Sequence, residues 1–247
     1  MPLASKRRPA RKTAKAASRK PNGTDAQSVV AELKRRGTKA TRDGMARFAI
    51  PSDKAFGVTV GALKQMAKEI GRDHALANAL WQTGWYEARM LAAFVDEPSE
   101  VTPTQMDRWC RDFDNWAICD TVCFALFDRT PFAWAKVAQW AKRTHEFQKR
   151  TAFALLWSLT AHDKTAADAK FLEGLRLIEG AASDERNFVK KAVNMALRSI
   201  GKRNKKLHVA AIAVAQKLSR SSNASAKWVG TDAMRELTSP AVVRRLS

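Results

Sequence analysis

The stretch Asn115-Trp116-Ala117-Ile118-Cys119-Asp120-Thr121-Val122-Cys123-Phe124-Ala125-Leu126-Phe127 decides how the rest of the chain is read. At about 100° per residue, Ile118, Val122, Ala125 and Leu126 fall on one side of a helix, a stripe wide enough to face a core. Asp120 points the other way, flanked by Trp116, Cys123, Phe124 and Phe127. A carboxylate among aromatic side chains is costly unless a cation or a ligand meets it. Two readings follow: an ion pair with a neighbouring arginine, or an acid kept for function.

Outward from this segment the pattern stays helical. From Asp25 onward, helix-length segments end at short breaks: Arg36-Gly37, Glu69-Ile70-Gly71, Gln82-Thr83-Gly84, Glu97-Pro98, Thr130-Pro131 and Gly201. Thr102-Pro103 and Thr130-Pro131 each put a capping residue before a proline at the first helical position, and Asp184 precedes the helix expected to run to Ile200. Alternating, β-branched strand patterns are absent. Connectors this short favour antiparallel helix pairs stacked one on the next. The expected fold is therefore all-α, a HEAT-like helical solenoid over residues 25–247.

Two further helices repeat the two-faced pattern. In His145 to Thr160, Ala152, Leu155, Leu156 and Leu159 form the core side, while Arg150 projects opposite, flanked by Phe153 and Trp157. Trp157 reads either as second-layer packing or as part of a binding face. In Glu185 to Ile200, Val189, Val193, Ala196 and Ile200 form the stripe; Lys191, Arg198 and, at the flank, Met195 lie away from it. Lys202, Arg203, Lys205 and Lys206 crowd the end of that helix. Lysines and arginines so gathered suit phosphates.

Charge points the same way. The chain has 44 Lys and Arg against 24 acids, a net +20, with 45% apolar residues for a core. Such an imbalance favours a polyanionic partner. Residues 1–24 carry eight of the basic residues, no acid and no aromatic, and are expected to be a disordered basic arm on DNA. An organellar transit peptide, or a nuclear signal at Lys6-Arg7-Arg8, are the alternatives. Removing those eight from the 44 leaves 36 against 24, still +12. The longest apolar run, Val209 to Ala215, falls far short of the ~18 residues of a spanning helix. Cys110, Cys119 and Cys123 make no zinc pattern; Cys119 and Cys123 read as reduced core thiols. No metal and no cofactor are expected, and a monomer in the cytoplasm, associated with the nucleoid, is.

The segments Met45-Ala46-Arg47-Phe48, Phe56-Gly57-Val58 through Ile70-Gly71, Glu87-Ala88-Arg89, Trp116-x-x-x-Asp120, Lys149-Arg150 and Asn187 through Arg198 resemble the AlkD-type bacterial DNA alkylation-repair glycosylases, which are HEAT-like solenoids. The resemblance runs from about Met45 to Thr238. It implies an enzyme that holds duplex DNA on a basic surface and cuts the N-glycosidic bond of N3- or N7-alkylated purines. It implies Asp120 as the catalytic aspartate, Trp116 as the stacking tryptophan and Arg150 on the phosphate side. Phe48 stands where the family has a tyrosine, and Met195 where it has a second tryptophan. The remaining candidate DNA contacts are Thr59, Lys149, Trp157, Lys190, Lys191, Arg198, Lys202 and Arg203. Two other classes remain: a non-catalytic DNA- or RNA-binding protein derived from that family, and a general HEAT-type protein scaffold, which the charge suits poorly.

Overall fold

The structure, a computed structural model, describes residues 25–246; the basic segment 1–24 lies outside them. The described residues form fourteen α-helices and no strand. In chain order these are α1 (Ala26–Arg36), α2 (Lys39–Gly44), α3 (Val60–Ile70), α4 (His74–Gln82), α5 (Tyr86–Val95), α6 (Pro103–Arg111) and α7 (Trp116–Ala125). There follow α8 (Ala133–Trp140), α9 (Glu146–His162), α10 (Asp168–Ala181), α11 (Asn187–Gly201), α12 (Lys205–Ser219), α13 (Ala224–Leu237) and α14 (Pro240–Leu246). Short 3-10 turns occupy Met45–Phe48 and Phe127–Arg129.

The helices stand in two rows. In the first, α3, α5, α7, α9, α11 and α13 pack each on the next. The second row covers them, α4 lying on α5, α8 on α9 and α12 on α13. This is the all-α, HEAT-like arrangement that the short connectors imply. Tryptophans near the ends of the second-row helices tie that row together. Trp81 of α4 stacks on Trp109 of α6 with ring centres 3.9 Å apart and planes 2° from parallel. Asp107 of α6 then accepts from Trp140 Nε1 and Lys136 Nζ of α8, at 2.8 and 2.6 Å. Where α12 and α13 cross, Gly230 is required, because a Cβ there would lie 2.3 Å from the Ser219 backbone nitrogen.

Local signals set most boundaries. Thr102 caps α6 with Pro103 in its first turn, and Asn115 caps α7, its side chain accepting from the Ala117 and Ile118 amides. Two starts differ from the sequence expectation. Thr130 does not cap α8: its hydroxyl donates to the Phe127 carbonyl at 2.8 Å, closing the 3-10 turn, and α8 begins at Ala133. Asp184 does not cap α11 either, because Arg186 and Lys149 engage its carboxylate, and the helix begins at Asn187. Gly201, expected as a break, is the last residue of α11.

The core stripes of α9 and α11 are buried as the periodicity indicates; on α7, Ile118, Val122 and Leu126 are buried and Ala125 partly so. The opposite faces are less open than expected. Cys123, Phe127 and Phe153 are completely buried, because α7 and α9 are each flanked on two sides within their row, with α6 and α8 against α9 and the Phe127–Arg129 turn against α7. Cys110, Cys119 and Cys123 are buried free thiols. No described helix is long and apolar enough to cross a membrane.

Candidate active site

Asp120 and Arg150 meet where α7 and α9 lie side by side. Arg150 Nε donates to Asp120 Oδ1 at 3.0 Å and Nη2 to Oδ2 at 2.6 Å, a bidentate fork. Its third nitrogen, Nη1, donates to the Phe188 carbonyl of α11 at 2.7 Å. One guanidinium therefore joins three successive first-row helices. Only 4% of the Arg150 side chain is exposed, against 16% for Asp120. Burial holds the Asp120 carboxyl above its ordinary value, and Arg150 offsets that rise only in part. Burial also opposes the charge of Arg150, and Asp120 more than offsets it. Of the two readings of Asp120, the ion pair is realised, mostly buried between α7 and α9.

Trp116, one turn before Asp120, is half-buried, with the guanidinium carbon of Arg150 5.9 Å from its ring centre. Its Nε1 donates to the Phe48 carbonyl at 2.7 Å, fastening the Met45–Phe48 turn over the start of α7. The Phe48 ring itself is 63% exposed. The segment after this turn is held from below by Glu87, which the resemblance alone singles out. The fully buried carboxylate of Glu87 accepts from the amides of Phe56, Gly57 and Val58 at 2.9, 2.7 and 3.2 Å. Gly57 has φ +88, and a Cβ there would meet the Thr38 carbonyl at 2.2 Å, so this close approach needs glycine.

The other candidate contacts divide. Lys191 is exposed, and Met195 is half-buried on the same face of α11. Lys190 lies over the Trp228 ring at 5.2 Å. Thr59 is exposed, and its side chain caps α3. Trp157 is half-buried, meeting Phe124 edge-on at 4.6 Å. The rest have protein partners. Lys149 pairs with Asp184 at 2.9 Å, Lys202 with Glu236 at 2.5 Å, and Arg198 with Glu236 and Asp232. Arg203 donates to the carbonyls of Thr160 and Asp163 at 3.0 and 2.7 Å and packs on Phe171. Among the described residues, no cluster of three or more His, Cys, Asp and Glu is disposed to hold a metal ion.

One concavity escaped the sequence reading. A cavity of about 650 Å³ opens between α3, the end of α5, α7 and the end of α9. Lys64, Lys68, Arg72, Arg129 and His162 line it, with Phe94 and Phe124, and no carboxylate faces it. The available signal was the i, i+4 spacing of Lys64 and Lys68 on α3 with no acid at matching positions toward α7.

The two-row helical architecture has a counterpart among solved structures. One, described as "A new family of proteins related to the HEAT-like repeat DNA glycosylases with affinity for branched DNA structures", superposes with a TM-score of 0.72. It is 21% identical, and the match covers 86% of this chain and 95% of that one. No curated protein matches the chain. A family profile described as DNA alkylation repair enzyme matches residues 29–237, a span that holds Asp120, Arg150, Trp116 and the whole first row from α3 to α13. The chain belongs to this DNA alkylation repair enzyme family.

Proposed function

We propose that the protein is a DNA glycosylase that hydrolyses the N-glycosidic bond of N3- or N7-alkylated purines in duplex DNA, with Asp120 as its catalytic carboxylate and Trp116 beside it. The observation that carries this reading is the Asp120–Arg150 fork. A buried ion pair is a poor stability device, since apolar residues of similar volume commonly do as well or better. One held between an indole and α11, with its carboxylate still 16% exposed, suits the fixing of a carboxylate for chemistry.

The chemistry asks little else. Alkylation at N3 or N7 makes the purine cationic and a ready leaving group, so it needs no protonation. As the bond breaks, positive charge grows on the sugar. A preorganised carboxylate stabilises that charge and orients the attacking water. The Arg150 fork takes one acceptor site on each Asp120 oxygen, and a carboxylate has about four. Acceptor capacity for a water therefore remains. On this reading Arg150 clamps the acid and does not contact phosphate. Lys190 and Lys191 supply backbone contacts, Phe48 and Thr59 border the duplex near Trp116, and Met195 gives a thioether surface in place of an indole. Lys149, Trp157, Arg198, Lys202 and Arg203 shape and charge the surface through the partners they hold.

The same fork also favours a second reading, a DNA-binding protein without cleavage. An acid already bonded through both oxygens is partly neutralised, and Met195 lacks the π face that a cation prefers. Incubation with N7-methylated duplex DNA, followed by chromatography of the released base, distinguishes them. Free methylated purine supports the glycosylase. Salt-sensitive duplex binding with no release supports the binder.

A further inference from the structure

We infer that the cavity between α3, α5, α7 and α9 is a binding groove for an unpaired DNA strand, adjoining the Asp120 site. The inference rests on the nucleic-acid reading of that site and adds a substrate element to it.

The cations of this groove differ from most of the other basic side chains on the first row. Arg150, Lys149, Arg198 and Lys202 are all committed to carboxylates. In the groove, Lys64, Lys68, Arg72 and Arg129 have no carboxylate at ion-pair distance; only His162 has one, Asp128 at 2.5 Å. Arg72 is steadied through the backbone, Nη1 donating to the carbonyls of Phe94 and Asp96 at 3.1 and 2.5 Å; Glu97 and Asp128 act on Arg72 and Arg129 only through space, without a direct ion pair. In a folded protein, cations left unpaired around one concavity are complementary to a multivalent anion.

The walls narrow the choice of anion. Phe94, Phe124, Val60, Ala67 and Ala125 give the groove an apolar lining between its charges. Phe124 is braced edge-on by Trp157 at 4.6 Å and by His162 at 5.7 Å, and Lys64 lies 5.9 Å from the Phe94 ring centre. A duplex presents phosphates to such a surface and keeps its bases stacked inside. A strand with unpaired bases offers both phosphates and flat apolar faces, and alternating cations and aromatic rings are how proteins hold it. Position agrees with this. Thr121 and Phe124 line the groove and follow Asp120 on α7 within about one turn, or ~5.4 Å of helix. A strand in the groove therefore passes within about one helical turn of the acid. The preferred substrate on this inference is DNA with an unpaired segment next to the duplex bound at Trp116.

Fluorescence anisotropy of the full chain tests this with three labelled probes. They are a thymidine strand of about 12 nucleotides, a strand of equal length with baseless sugar-phosphate units, and a blunt duplex. Lys68 and Arg129 are exposed and carry no internal ion pair, so Lys68→Ala with Arg129→Ala spares the fold. The double variant is expected to lower the salt slope for the thymidine strand by about 1.4, two contacts at ~0.7 each, with duplex affinity within about twofold of wild type. Phe124→Leu keeps an apolar side chain and removes the ring. It is expected to weaken the thymidine strand at least about fivefold and leave the baseless strand unchanged. Equal weakening of strand and duplex, or of thymidine and baseless strands, overturns the groove. Duplex binding without strand binding also overturns it and leaves the glycosylase reading standing. Binding to none of the probes overturns both.

Discussion

Replacing Asp120 by asparagine separates what the acid does for the fold from what it does for chemistry. The structure fixes the cost. Asparagine keeps one acceptor oxygen for the Arg150 fork and turns an amide donor toward the other guanidinium nitrogen. One of the two bonds, at 3.0 and 2.6 Å, is lost to a donor–donor contact. The guanidinium stays charged and 4% exposed, with the asparagine oxygen and the Phe188 carbonyl as its partners and no counter-charge. Breaking a buried pair from one side costs ~3–5 kcal/mol. For a chain of this size each kcal/mol lowers the melting temperature by roughly 2–4 °C, so a fall of about 6–20 °C is expected. Base release should drop ~10²–10³-fold, the scale for one preorganised stabilising group. Since both quantities fall together, the single variant does not apportion them. Adding Arg150→Gln removes the stranded cation and lets two amides pair. That double variant should regain ~1–3 kcal/mol relative to additivity and no base release. Thermal unfolding by circular dichroism and single-turnover release from methylated duplex read the two halves. Additive stability losses would refute the structural account of the pair. Release at the wild-type rate from Asp120→Asn would refute the catalytic one.

Two predictions concern the frame around the site. Glu87→Gln leaves one of three buried amides facing a donor, so stability should fall by ~1–3 kcal/mol, and hydrogen exchange should quicken at Phe56, Gly57 and Val58 before it does elsewhere; unchanged protection there would remove Glu87 as the anchor of that segment. Arg186, with Lys149 beside it, holds the Asp184 carboxyl well below the usual carboxylate range. A depressed folded pKa stabilises above the unfolded value of ~3.9, and that stability is lost as pH falls toward the folded value. Asp184→Asn should therefore cost ~1–2 kcal/mol at neutral pH, allowing for screening at a partly exposed site. Its deficit against wild type should shrink on acidification below about pH 4; a deficit independent of pH would refute the ion-pair account.

The sequence by itself determined what depends on neighbours within a turn or two. The spacing of Ile118, Val122 and Leu126, of Leu155 and Leu159, and of Val189, Val193 and Ile200 selects helices and the faces they bury, because helical geometry makes those residues neighbours whatever the tertiary context. Thr102-Pro103 and Asn115 mark helix starts for the same reason. It also marked Asp120 and Arg150 as misfits, each charged and each among aromatic side chains. What it did not reach is how long charged side chains spend their reach. Lys149, Arg198, Lys202 and Arg203 look alike on paper as a basic surface, yet each turns inward to a partner at least 34 residues away in sequence. The cations left open come from two separate segments, Lys64, Lys68 and Arg72 on and just after α3 and Arg129 after α7. Only the register in which α7 settles against α9 and α3 decides which charges meet an acid and which gather around a cavity. That register is set by packing across the rows, and so it belongs to the tertiary structure alone.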